Sequence, residues 1–236
     1  MLLTRAPGDN DSLAERLRSL GIAPHEAPCM RIERLTDPAP LRNAILSLSR
    51  QDTLVLTSRS GATAVADALG GASCRARIAA VGLATADACR DRGLPVAFAP
   101  SEPTGAALAE QLPLPSGIVL LARADRAARE TAEILRRRGA TVREIVAYRT
   151  IPGFAGVAGA LPSADVVVFA SPSAVDGFAA ALSLGAASVV AIGPTTAARV
   201  RVALAVEPTI AARPDDDAVA DAIIALLEER HAIVRR

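Results

Sequence analysis

The chain has 236 residues, 51% of them hydrophobic, with a formal net charge of +1. That length suits one large or two small domains, no apolar run reaches the roughly 18 residues of a membrane span, and the near-neutral balance gives no bulk attraction to nucleic acid or to a membrane surface. All 26 basic residues are arginine, which removes Schiff-base lysine chemistry and the Walker-A lysine from consideration; a GC-rich genome is the ordinary source of such an Arg- and Ala-rich chain.

The opening "MLLTR" reads as a short strand. A charge and a Pro-Gly turn follow at once, so it is not read as a signal peptide, and the expected compartment is the cytoplasm. "DNDSLAERLRSLG" offers Asp/Asn/Ser capping, Leu13, Leu17 and Leu20 on one face, and a glycine stop. "ERLTDPAPL" at Glu33–Leu41 reads as a linker. "DTLVLTS" is a buried strand, "SGATAVADALGG" a helix, "RIAAVG" a strand and "LATADACRDRG" a helix. "LPVAFAP" and "TGAALAEQL" continue as strand and helix. Next come "SGIVLLAR" (strand), "DRAARETAEILRRRG" (helix) and "ATVREIVAYRT" (strand). "RTIPGFAGVAG" at Arg149–Gly159 reads as a second linker. The remainder alternates again: "SADVVVFAS", "PSAVDGFAAAL", "ASVVAIG", "PTTAARVRVAL", a short strand in "AVEPTIAA", and a final helix "DDDAVADAIIALLEER". That helix opens on acidic residues, where the macrodipole favours them.

Strands alternating with helices imply an α/β protein with parallel sheets covered on both faces. About ten strands exceed one small sheet, and the chain repeats itself. "LLTRAPGDN…LAERLRSLG" aligns with "LLARADRAA…TAEILRRRG", "LTSRSGATAV" with "FASPSAVDGF", and "AVGLATA" with "AIGPTTA", in the same order and at nearly constant spacing. Two related, doubly wound, flavodoxin-like domains are expected. The two linkers divide the chain into residues 1–33 plus 152–236, and 36–148. Connectors lie near 34–36 and 148–152, giving two five-stranded domains with the chain crossing twice as a double hinge.

In open α/β sheets ligands bind beyond the carboxyl ends of the strands, and the repeated polar turns sit there. Ser58 and Ser171 open helices, with Ser173 in the turn that follows. Gly82 and Gly193 free the backbone for close approach, with Thr85, Thr195 and Thr196 in the next first turn. Bare helix N–H groups favour anions, and Arg5, Arg59, Arg123, Arg126 and Arg129 lie near the same strand ends. Two domains with such turns are expected to form a clamp around a polyanion and to close on binding. For any one turn an ordinary helix cap is the simpler explanation; the duplication is what points to a ligand. No metal site is expected. Cys29, Cys74 and Cys89 lack ligand spacing and read as reduced, buried thiols. His25 and His231 fit structural and solvated positions, which leaves no Ser-His-Asp triad. Four Phe, one Tyr and no Trp are too few for a base-stacking platform.

On "LLTR", "LTSRSG", "AVGLAT", "LLARADRAARETAEILRRRGA", "VAYRT", "FASPSAV" and "AIGPTTA", taken in order, essentially the whole chain resembles the uroporphyrinogen-III synthase family. The resemblance implies two α/β domains joined by a two-stranded connector. It also implies a cofactor-independent lyase that converts linear hydroxymethylbilane into uroporphyrinogen III. Water is lost, the terminal pyrrole ring is inverted through a spirocyclic intermediate, and the macrocycle closes. Tyr148 matches the family's tyrosine before "RT". By resemblance it assists departure of the hydroxyl; packing at the connector is the alternative role. Arg59 directly follows the serine of "TSRSG", where some members carry the basic residue one position later. The expected partner is the small-molecule tetrapyrrole, bound by a monomer without nucleic acid or membrane. Two other readings remain: a non-catalytic anion-binding or sensor module on the same fold, and, more distantly, a phosphate-sugar transferase.

Overall fold

A computed structural model describes residues 1–7, 9–154 and 163–234, with side chains described up to residue 229. The elements run β1 (Leu2–Leu3), α1 (Asp11–Ser19), β2 (His25–Glu26), β3 (Met30–Arg34), α2 (Ala39–Leu46), β4 (Thr53–Leu56), α3 (Arg59–Leu69), β5 (Arg77–Ala80), α4 (Leu83–Arg90) and β6 (Val96–Phe98). They continue with α5 (Gly105–Gln111), β7 (Ile118–Ala124), α6 (Glu130–Arg137), β8 (Thr141–Pro152), β9 (Val166–Phe169), α7 (Pro172–Ala181), β10 (Ser188–Ala191), α8 (Pro194–Leu204), β11 (Thr209–Ile210) and α9 (Asp216–Val234). The chain divides into two compact units, Met1–Arg31 with Ile151–Arg236, and Ile32–Thr150. The expected role of His231 lies outside the described side chains, and residues 155–159 of the second expected linker lie outside the described residues; its first part, Arg149–Pro152, belongs to β8.

The first unit is built on a sheet of order β11-β10-β9-β1-β2, its paired strands parallel. α1 and α9 cover one face, where Leu13, Leu17, Val219 and Ile223 are buried with Leu3 and Val168. α7 and α8 cover the other, where Phe169 and Phe178 meet edge-on with centroids 5.3 Å apart. Each fully buried ring contributes roughly 1.5–3 kcal/mol by leaving water. Gly177 is needed on α7 because a side chain there would overlap the Cys29 carbonyl and lie 2.5 Å from the Gly153 nitrogen.

The second unit holds a sheet of order β3-β8-β7-β4-β5-β6, parallel from β8 to β6. Its strand β4, "TLVL", is buried at every residue, as befits a central parallel strand covered on both sides. Leu54, Leu56, Ile45 and Val65 form the core under α2 and α3, while Val55, Val119, Leu108 and Leu135 form the core under α5 and α6.

Three expectations need correction. Five strands were expected in each sheet, but the second has six because β3 adds beside β8. "ERLTDPAPL" is not one irregular linker either: β3 runs to Arg34 and α2 begins at Ala39. The Asp and Pro residues that read as loop are the start signal of that helix. Asp37 Oδ1 accepts the Ala39 N–H at 2.9 Å and proline occupies the first turn, where it needs no N–H partner. Leu41, Ala44 and Ile45 then repeat at helical spacing on the buried face. Asn10, expected among the caps of α1, makes no capping bond, and its buried amide finds no partner among the described residues.

Candidate active site

In each sheet the strand order reverses once, between β4 and β7 and between β1 and β9; at such a point the flanking loops diverge and leave a crevice for a ligand. Ser58 follows β4 and caps α3: its backbone is extended and its Oγ accepts the Gly61 N–H at 2.9 Å. Ser171 does the same after β9, accepting the Ala174 N–H at 3.2 Å. Both serines keep their expected positions, and each has a second partner that the local pattern does not reveal.

For Ser58 that partner is Tyr148, whose hydroxyl lies 2.8 Å from Ser58 Oγ. The meeting depends on an irregularity in β8. Arg123 pairs with Val146, but Ala124 pairs with Tyr148, so Ala147 is an extra residue. Such a bulge re-aims the side chains that follow it. Ala147 and Tyr148 are therefore both buried in the core under α2 and α3, where strict alternation would send them to opposite faces.

The first unit repeats this arrangement with different chemistry. The Ala27 and Cys29 N–H groups bond to the carbonyls of Leu3 and Thr4. Two residues therefore advance there against one, as in the bulge of β8. Met30 holds the repeat position of Tyr148, and Ser171 donates its hydroxyl to Met30 Sδ at 3.3 Å. Extending the repeat through these residues was the signal that would have found both pairs.

The second tier of turns is also duplicated but differently filled. Gly82 precedes α4 and Gly193 precedes α8, both with extended backbones open to any residue. A Cβ on Gly82 would sit 2.7 Å from Pro103 Cβ, whereas one on Gly193 would meet nothing within 4 Å. Packing accounts for glycine at the first and leaves the second facing open space. Thr85 and Thr196 are buried; Ser173 is half-buried and Thr195 is exposed, each in a first helical turn.

The arginines fall into two groups. Arg123 donates to the carbonyls of Ala127 and Ala128 at 2.7 and 3.0 Å and pairs with Glu144 at 3.0 Å. Arg5 donates to the Asp9 carbonyl at 3.2 Å and pairs with Asp216 at 2.7 Å. Each staples the loop after its own strand. Arg59, the first residue of α3, Arg126 and Arg129 are exposed. Burial pushes the Cys29 thiol up to about 12 and the Cys89 thiol to about 11, so neither serves as a nucleophile near neutrality. Among the described residues no group of three His, Cys, Asp or Glu is placed to hold a metal ion.

Fold and site together define an α/β enzyme with polar turns at the carboxyl ends of two doubly wound sheets and a phenol at one of them. The family model described as "Uroporphyrinogen-III synthase HemD" matches residues 11–221. The chain belongs to the uroporphyrinogen-III synthase family, the cofactor-independent cyclising lyases of heme biosynthesis. A mutant uroporphyrinogen III synthase from the extremely thermophilic bacterium Thermus thermophilus has a similar fold, with a TM-score of 0.58 at 16% identity over 100% of both chains. The uroporphyrinogen-III synthetase from Helicobacter pylori is likewise similar, with a TM-score of 0.59 at 18% identity over 87% of this chain and 93% of that one. No curated protein sequence matches the chain.

Proposed function

We propose that the chain closes hydroxymethylbilane into uroporphyrinogen III, with Tyr148 supplying the proton on which the hydroxyl departs. The observation that supports this assignment is the bulge that brings the phenol to Ser58 at the strand-order reversal of the second unit. The electron pair of the pyrrole that bears the hydroxymethyl group, at the opposite end of the chain from the ring to be inverted, expels the hydroxyl as the C–O bond breaks, and the phenol proton completes a water molecule. Attack by the substituted carbon of the last ring forms a C–C bond and a spirocycle; the bond from that carbon to its own bridging methylene then breaks, and the methylene bonds to the free α-carbon of the same ring, which inverts the ring and closes the macrocycle. The proton lost on rearomatisation restores the phenol, so the net change is loss of water with no redox partner. An ordinary phenol, with a pKa near 10, is a weak acid, which suits an electron-rich substrate that already expels its own hydroxyl.

The strand-end turns hold the substrate's acetate and propionate groups. The helix N-termini that follow Ser58, Gly82, Ser171 and Gly193 favour carboxylates, and Ser173, Thr85, Thr195, Thr196 and Arg59 extend those turns. Arg5 and Arg123 shape the loops beside them. Because closure without inversion is the spontaneous outcome, the protein's main contribution is to fix the conformation from which the substituted carbon attacks. We read the enzyme as a cytoplasmic monomer without a nucleic-acid or membrane partner. The near-neutral charge gives no bulk attraction to nucleic acid; among the described residues no helix is long and apolar enough to cross a membrane.

A coupled assay that supplies hydroxymethylbilane tests the reading. The type III isomer is expected to dominate the product. An isomer ratio equal to that of the enzyme-free control would overturn it.

A further inference from the structure

Ser58 is engaged twice. Its Oγ accepts the Gly61 N–H at 2.9 Å and lies 2.8 Å from the phenol oxygen of Tyr148. A serine hydroxyl has one hydrogen and two acceptor sites, so the distances alone allow the proton of the second bond to belong to either residue. The internal repeat decides the direction. In the first unit Ser171 accepts the Ala174 N–H and faces Met30 Sδ at 3.3 Å. A thioether has no proton to give, so Ser171 is the donor there. Ser58 and Ser171 have nearly identical backbone dihedrals, φ −162° and ψ 156° against φ −161° and ψ 154°. An extra residue precedes each partner, between Val146 and Tyr148 in the second unit and between Ala27 and Cys29, ahead of Met30, in the first.

We propose that Ser58 is a positioning residue that donates its hydroxyl hydrogen to the Tyr148 oxygen. It thereby relays the positive end of α3 onto the phenol, rather than binding substrate. The chain of donors runs from the Gly61 N–H to Ser58 Oγ and from the Ser58 hydroxyl to the phenol oxygen. A donor on that oxygen stabilises the phenolate that remains once the proton has gone to the leaving hydroxyl. It also leaves the phenol's own proton outside the serine–tyrosine pair. When ring closure releases its proton, the phenolate takes it back, and the serine keeps its hydrogen throughout. This assignment rests on Tyr148 as the proton donor.

Tyr148 is the single tyrosine in a chain without tryptophan, so tyrosinate absorbance in the near ultraviolet reports this residue alone. The ionisable side chains on the elements around it are Arg42 on α2, Arg59 and Asp67 on α3, Arg31, Glu33 and Arg34 on β3, Arg123 and Asp125 at the end of β7, and Arg143, Glu144 and Arg149 on β8. All of them are retained in the variants. Ser58→Ala and Ser58→Gly remove the donor; the glycine variant preserves most of the capping preference and serves if the alanine variant does not fold. In the folded variants the phenol titration is expected to move up by about one pH unit, as for the loss of one hydrogen bond to a charged group. Ser58→Thr is expected to restore it, and Ser171→Ala, which removes the matching cap in the first unit, to leave it unmoved. A phenol titration unchanged or lowered in both donor-free variants overturns the proposal. Full turnover in Tyr148→Phe would instead overturn the catalytic reading of the phenol, and would leave the titration result standing.

Discussion

In the second unit the serine that caps the first helix beyond the strand-order reversal meets a phenol; in the first unit its repeat equivalent meets a thioether. The two sites share a cap, a bulge and an arginine that bonds a carbonyl four residues on. They differ in the one group able to give up a proton. Duplication therefore supplied two matching strand-end turns, with a phenol against the cap of only one of them. Capping explains why both serines are present, and explains nothing about why one partner is tyrosine.

The largest effect should come from erasing that difference. Tyr148→Phe keeps the ring and its burial but removes the proton, and kcat is expected to fall by about a hundredfold, the lower end for a general acid. Met30→Leu removes the thioether at the equivalent place and should leave kcat within about twofold. Steady-state rates of the two variants check this directly. Equal losses would mean that both positions act through packing alone.

The glycines sharpen the comparison on stability. Gly82→Ala forces a Cβ to within 2.7 Å of Pro103, while Gly193→Ala projects into open space. Alanine is a poor N-cap at both places, so the cap contribution cancels in the difference. Gly82→Ala should be less stable than Gly193→Ala by about 1–3 kcal/mol, the usual cost of overpacking, as measured by urea denaturation. Gly193→Ala should instead raise KM severalfold, because its new methyl group occupies the space over the α8 N-terminus.

Much of this was legible in the sequence, and for identifiable reasons. Alternating apolar runs and amphipathic helices gave the doubly wound class, because a strand covered on both faces must read like "TLVL". The repeat placed Ser58 against Ser171 and Gly82 against Gly193, since caps and close approaches depend on local residue types. What escaped was the meaning of proline and aspartate before α2, where one composition serves both a loop and a helix start. Also hidden was the bulge at Ala147, since an extra residue in a strand carries no local signature. The contact of Pro103 with Gly82 likewise joins residues from different turns, which no periodicity reports.

Each unit also holds a carboxylate lowered chiefly by backbone N–H groups, and the two should respond to acid differently. In the second unit Asp52 accepts the Ile118 N–H at 2.7 Å and both the N–H and hydroxyl of Ser49, which hold its carboxyl below the ordinary range. In the first, Asp215 is lowered chiefly by the Ala218 N–H at the start of α9, with Arg213 adding to it. A carboxyl with a depressed folded pKa stabilises fully above its unfolded value, near 4, and loses that contribution as pH falls through the folded one. Asp52→Ala should therefore cost about 2 kcal/mol at neutral pH and progressively less in acid. Asp215→Ala should cost about 1 kcal/mol, a typical cap. Denaturation curves at neutral and acidic pH separate the two.

The smallest effects concern the stapling arginines. Arg123 shares Glu144 with Arg136, and Arg5 pairs with Asp216. These are partly exposed pairs, so Glu144→Gln and Asp216→Asn should each cost less than about 1 kcal/mol. The informative reading is KM. If Arg5 and Arg123 serve their loops, their carbonyl bonds keep them in place after the carboxylate is neutralised, and KM stays within about twofold. If either arginine instead binds a substrate carboxylate in competition with its partner, removing that partner frees it and KM falls severalfold. A fall confined to one unit would show that the duplicated arginine, like the duplicated serine, had kept its geometry in both places and acquired a ligand in only one.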